Sequence, residues 1–227
     1  AARRNRVAGM VEVQDFRAMG EALGDAGAIL RNNAGGAGLD APVPTAPGWS
    51  VADLVAHVGM VHRWAAGYLT RGPRREPAEV LAEAAAAEDL LDWFDDGLVD
   101  LLNAFASLPG DAALKFFLPD APPPRDAWLR RQVHETTIHA VDAMAARLGR
   151  APRADELWLD AHLAADGVDE VLTGYLVREP LLRAEQPRRV RVDATDVGRS
   201  WLLAIGPEEK RLIAAHDHGL EHVRVDR

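Results

Sequence analysis

Between the proline run at 122–124 and Gly149 the chain carries one uninterrupted stretch, Asp126 to Gly149, whose apolar residues recur at helical spacing. Leu129, Val133, Thr136, Ala140, Met144 and Leu148 fall three or four positions apart, and no proline breaks the series. A helix with such a stripe needs a partner surface, so this stretch commits the chain to a fold in which helices pack on helices. Glu135 and His139 lie on a second line of the same helix, in register with Trp128, Gln132 and Asp142. At about 100° per residue, that line stands roughly 100° around from the middle of the stripe. The helix therefore has a core side and a side that presents donor groups to another neighbour. A Glu with a His four residues on is also an ordinary surface pair, and Arg131, one turn before Glu135, competes for its carboxylate.

The rest of the first 150 residues reads as helices separated by breakers. Phe16, Met19, Leu23, Ala26 and Leu30 mark a first helix over about 11–31, ended by the glycines at 35, 36 and 38. After a connector with Pro42, Pro44 and Pro47, Ser50 caps a second helix with Asp53 as the partner of a capping box, and that helix runs to about Leu69. Pro77 opens a third, alanine-rich helix predicted to extend to Ser107. Residues 111–125 hold too many prolines to be helical throughout and read as a long crossover, which suits a four-helix bundle that is not a simple up-down chain. Beyond Pro152 a fifth helix is expected over about 154–176. The period then changes: Val190 and Val192 alternate with charged residues, Trp201 to Ile205 is a short apolar run, and Leu212 to Ala215 and Val223 to Val225 are further short strands. The fold class is α+β, with an expected division into residues 1–150 and 151–227.

Composition narrows what the chain does. Its 26 basic and 35 acidic residues give a net charge of −9 with no massed basic segment, which argues against nucleic acid as a partner. No apolar run approaches the ~20 residues that span a bilayer. Arg3, Arg4 and Arg6 precede Met10 without the apolar core of a secretory signal and read as a loose leader or an expression remnant, so a cytoplasmic monomer is expected. There is no cysteine. Disulfides and thiolate metal ligands are thereby excluded, and any thiol chemistry must use a thiol from a cosubstrate.

One carboxylate and two imidazoles are the donor set of an open catalytic zinc site. Glu135 and His139 supply part of it. His57, on the edge of the second helix's stripe, is a third donor, while His62 and His134 stay open as alternatives by spacing. Gln132 and Asp142 flank the pair and are candidates for orienting a ligand. His162, His216, His218 and His222 sit among charged or small residues and are set aside as ligands.

Two segments then carry a resemblance: Gly48, Trp49, Ser50, Val51, Ala52, Asp53, Leu54, Val55, Ala56, His57 followed by His62, Arg63, Trp64; and Trp128, Arg130, Arg131, Gln132, His134, Glu135, Thr136, His139, Ala140, Asp142. They are similar to the two signatures of the mycothiol-dependent maleylpyruvate isomerase family, within the DinB-like four-helix metalloenzymes. Val190 to Trp201 resembles the opening of that family's C-terminal domain. The resemblance implies a DinB-like four-helix bundle followed by a small α+β (SCP2-like) domain. It also implies zinc, or a similar divalent ion, on His57, Glu135 and His139, and mycothiol as the cosubstrate. The expected activity is that of a mycothiol-dependent isomerase or S-transferase acting on a small-molecule electrophile. A non-catalytic metal-binding bundle, serving as carrier, sensor or structural zinc protein, is the alternative. One departure stands out: nothing after Trp201 matches the family's tryptophan, glycine, arginine turn, so either the second domain is incomplete in this chain or the protein dispenses with that anchor.

Overall fold

The computed structural model describes residues 15–73, 75–118, 121–176, 183–207 and 210–217. Among the described residues six α-helices precede a three-stranded antiparallel sheet in the chain order. The chain divides into two compact units: the first is built from Gln14–Phe116 with Pro122–Leu157, and the second includes Trp158–Arg227 with Phe117–Ala121.

In the first unit α1 (Phe16–Ala37) packs against α5 (Pro124–Leu148) and α4 (Leu90–Ser107), and α2 (Val51–Leu69) packs against α4 and α5. A shorter helix, α3 (Pro77–Ala86), lies against α2. The core between them takes in Leu23, Leu30, Leu129 and Val133, which the periodicity singled out, with Leu54, Val55, Val58 and Leu101, all of them buried. Such burial is the dominant favourable term in a fold of this kind, at about 1.5–3 kcal/mol for each large aliphatic side chain. Among the buried polar groups is His62, fully enclosed, whose Nε2 stands 2.8 Å from Thr136 Oγ1 and links α2 to α5.

Three expectations change. The first helix does not stop before the glycines but continues to Ala37, because Ala34 is fully buried and Gly36 lets α1 approach the Arg147 side chain of α5. Its expected start, residues 11–14, lies outside the described residues. The alanine-rich third helix is two helices. Ala87 turns extended, with ψ of 137°, and Asp89 caps α4 by accepting from the backbone N–H of Leu91 at 2.8 Å and Asp92 at 3.1 Å. Leu148, assigned to the stripe of α5, is 39% exposed, because the helix ends there against Gly149 in the left-handed region at φ 68°. The backbone amides of Gly149 and Arg150 close that end on the Ala146 and Ala145 carbonyls.

A fourth change falls on the stretch where a fifth helix is expected. Residues 154–156 form only a 3-10 turn, and the helix α6 starts at Ala161, where Asp160 accepts from His162 and Leu163 N–H, before relaxing into a π-turn over Val171–Tyr175. Strands β1 (Arg188–Ala194), β2 (Arg199–Ile205) and β3 (Lys210–Asp217) form a meander in which Val192 faces Trp201 and Trp201 faces Ala215. Trp201 and Leu203 pack with Ala165 and Leu172 as a small core, and the indole N–H of Trp201 donates to Asp169 at 2.7 Å. The further strand expected at 223–225 lies outside the described residues. No helix of the described residues is long and apolar enough to cross a membrane.

Candidate metal centre

Three elements of the first unit meet at the site. The loop that leads into α2 is tied down by backbone bonds from Val43 N–H to Trp49 O at 2.9 Å and from Val51 N–H to Ala41 O at 2.9 Å. Gly48 takes φ 89° there, a conformation glycine reaches at little cost. Ser50 and Asp53 then close a reciprocal box, Ser50 N–H donating to Asp53 Oδ2 at 2.8 Å and Asp53 N–H to Ser50 Oγ at 3.2 Å. This sets the first turn of α2 and, two turns on, the direction of His57. Across from it α5 presents Glu135 and His139 one turn apart.

The three side chains converge. His57 Nε2 donates to Glu135 Oε1 at 3.3 Å, and His139 Nε2 stands 3.4 Å from the same oxygen. One donor atom from each residue lies within 4.8 Å of the others, and the three side chains are part-buried. The other carboxylate oxygen, Glu135 Oε2, accepts from Arg131 at 3.0 Å. The competition between Arg131 and the histidines for Glu135 is thus resolved by giving each partner a different oxygen.

His139 is oriented from behind. Its Nδ1–H donates to Asp142 Oδ2 at 2.9 Å, and Asp142 Oδ1 accepts from Thr45 Oγ1 at 2.6 Å. With Nδ1 so engaged, Nε2 is the ring atom that turns toward Glu135 and His57. Trp49 borders both imidazoles, stacked on His139 with centroids 6.2 Å apart and edge-on to His57 at 5.1 Å. Neither Thr45 nor Trp49 follows from helical spacing, since both lie in the connector before α2; the Gly-Trp-Ser sequence was the available signal.

The electrostatics follow from these contacts. Burial would raise the Glu135 carboxyl, but hydrogen bonds from His139 and His57 and the charge of Arg131 outweigh it and hold the group well below the usual carboxylate range. Burial would lower His139, but its hydrogen bonds to Asp142 and Glu135, with their charges, raise it to about 9. Asp142 is lowered despite its burial by the bonds from His139 and Thr45. At neutral pH a pKa of about 9 keeps the proton on His139 between the Asp142 and Glu135 carboxylates.

The remaining candidates fall elsewhere. His62 stands five residues after His57, roughly 140° around the helix at about 100° per residue, so it points into the core. Burial, with the charge of Arg63 adding to it, lowers its pKa to about 3 and keeps the ring neutral. His134 is not among the three clustered residues. Gln132 is 1% exposed, makes no hydrogen bond with the trio, and its Oε1 has no partner. His162 and His216 are exposed, and His218 and His222 lie outside the described residues.

No curated protein and no solved structure matches the chain significantly. A family model, the mycothiol maleylpyruvate isomerase N-terminal domain, matches residues 21–144. That span is just over half of the chain and contains His57, Glu135 and His139 on two of the helices it covers. With both signature segments inside the match and their side chains converging on one carboxylate, the chain belongs to the mycothiol maleylpyruvate isomerase N-terminal domain family.

Proposed function

We propose that the protein is a mycothiol-dependent metalloenzyme, an isomerase of the maleylpyruvate type or an S-transferase, with His57, Glu135 and His139 holding one zinc or similar divalent ion. The separations around Glu135 carry this reading. Donor atoms about 2.0–2.2 Å from a tetrahedral ion stand about 3.3–3.6 Å from one another. Glu135 Oε1 is 3.3 Å from one imidazole nitrogen and 3.4 Å from the other. Two of the three donor separations thus match such a shell and all three atoms lie within 4.8 Å of one another, which supports a fit by small movement.

Bound there, the ion would supply Lewis acidity that keeps a coordinated thiol ionised at neutral pH. The chain's own groups do the rest. Asp142, braced by Thr45, holds the Nδ1 proton of His139 and so commits Nε2 to the site, the carboxylate–histidine arrangement common behind metal ligands. Trp49 walls the two imidazoles on one side. Three protein donors leave a position open, and a chain without cysteine has no thiol of its own to close it. The family's cosubstrate, mycothiol, is a thiol that meets this need. A thiolate that adds to a cis double bond makes it single; rotation and departure of the same thiolate return the trans isomer with no net redox change. Protonation of the carbon left carbanionic by the addition instead retains the adduct, which is S-transfer.

Elemental analysis tests the ligand set. Protein prepared without chelator is expected to carry about one divalent ion per chain, and His57→Ala, Glu135→Ala and His139→Ala each to lose it. Full metal retention in all three variants would refute the assignment.

A further inference from the structure

The two oxygens of Glu135 have different partners. Oε1 faces the two imidazole nitrogens, at 3.3 and 3.4 Å, while Oε2 accepts from the Arg131 guanidinium at 3.0 Å. Arg131 stands one helical turn before Glu135, so the backbone itself presets the contact. The Arg131 side chain is 14% exposed and that of Glu135 23%, which leaves water little access to loosen the pair. A carboxylate with one oxygen engaged by a permanent cation is disfavoured from turning both oxygens toward the same metal ion.

We propose that Arg131 is a positioning residue that keeps Glu135 a one-oxygen ligand and thereby preserves the open coordination position. The proposal rests on the metal assignment above. A chelating Glu135 would add a fourth protein donor atom and fill the place an incoming thiol needs. Arg131 prevents this by occupying Oε2, without touching the ion or the substrate. Because the contact is a single N–H to oxygen bond, a lysine at this position keeps the cation within reach of Oε2, whereas methionine keeps the side-chain bulk and removes the charge.

The test uses the full chain loaded with cobalt, read by visible absorption and by X-ray absorption. Wild-type protein is expected to give the intense visible bands of four-coordinate cobalt and to lack the short metal–carbon shell of a chelating carboxylate. Arg131→Met is expected to lose band intensity at equal cobalt content and to gain that shell, and Arg131→Lys to retain the wild-type spectra. Should Arg131→Met fail to fold, the wild-type X-ray absorption still decides. A chelating carboxylate in the wild type, or an Arg131→Met spectrum equal to the wild type, overturns the proposal and leaves the metal assignment intact. A wild-type protein that takes up no cobalt overturns the metal assignment and this proposal with it.

Discussion

His139 donates Nδ1–H to Asp142 and, in the ion-free site, shares its Nε2 proton with Glu135, with a pKa raised to about 9. A divalent ion has to displace that Nε2 proton. Below pH 9 the ion-free protein binds one proton that the loaded protein does not, so apparent metal affinity must rise with pH, by about tenfold per unit for one proton, and level off above about 9. Chelator competition across pH 6.5 to 9.5 measures this. Asp142→Ala is expected to lose roughly 10- to 100-fold in affinity, because the ring is then free to turn Nε2 away. His62 titrates in the opposite sense. It is held at about 3 when folded and has the ordinary 6.5 when exposed, so the unfolded chain binds the extra proton between those values. Stability is complete above pH 6.5 and falls as the pH drops toward 3. Thermal melts between pH 7 and pH 4 are expected to show a weaker acid dependence in His62→Gln than in the wild type. Spacing alone did not settle the third donor among His57, His62 and His134. The packing of α2 buries the His62 ring against Thr136 and turns His57 toward Glu135.

Helix boundaries were legible where a cap or a breaker interrupts the apolar pattern. Ser50 with Asp53 and the left-handed Gly149 are both where the sequence puts them. The break between α3 and α4 was hidden because alanines favour helix on its near side, while Asp89, a strong cap, sits inside an otherwise continuous pattern. The same limit applies to Gly35 and Gly36, which cost helix propensity yet are helical because α1 packs closely on α5. Close approach is also written in Gly59 of α2. A Cβ there would fall inside the van der Waals envelope of the Trp93 ring on α4. Gly59→Ala is therefore expected to destabilise the fold by about 1–3 kcal/mol, read from denaturant unfolding, in spite of alanine's better helix propensity.

At the scale of the whole chain, the α+β class and the order of helices before sheet followed from the change of apolar period after residue 187: β1 falls on the alternation at Val190 and Val192, β2 on the apolar run Trp201 to Ile205, and β3 over Leu212 to Ala215. The start of α6 did not, because residues 154–160 carry helix-compatible apolar spacing, while Asp160 caps the helix that starts at Ala161. The pair Glu135 and His139 was legible as two donors on one line. Their meeting with His57 depends on how α2 crosses α5, which no local pattern specifies. Thr45 and Trp49 come from a loop whose path is fixed by backbone bonds rather than by periodicity. On the proposed function this chain, with no thiol of its own, brings an external thiol to an ion on His57, Glu135 and His139. Cobalt-loaded protein titrated with mycothiol tests it most directly: a sulfur-to-cobalt charge-transfer band is predicted, accompanied by thiol-dependent turnover of an electrophile such as maleylpyruvate. A spectrum indifferent to mycothiol, with no electrophile consumed faster than by free thiol, would contradict it and leave a metal-binding bundle without turnover in its place.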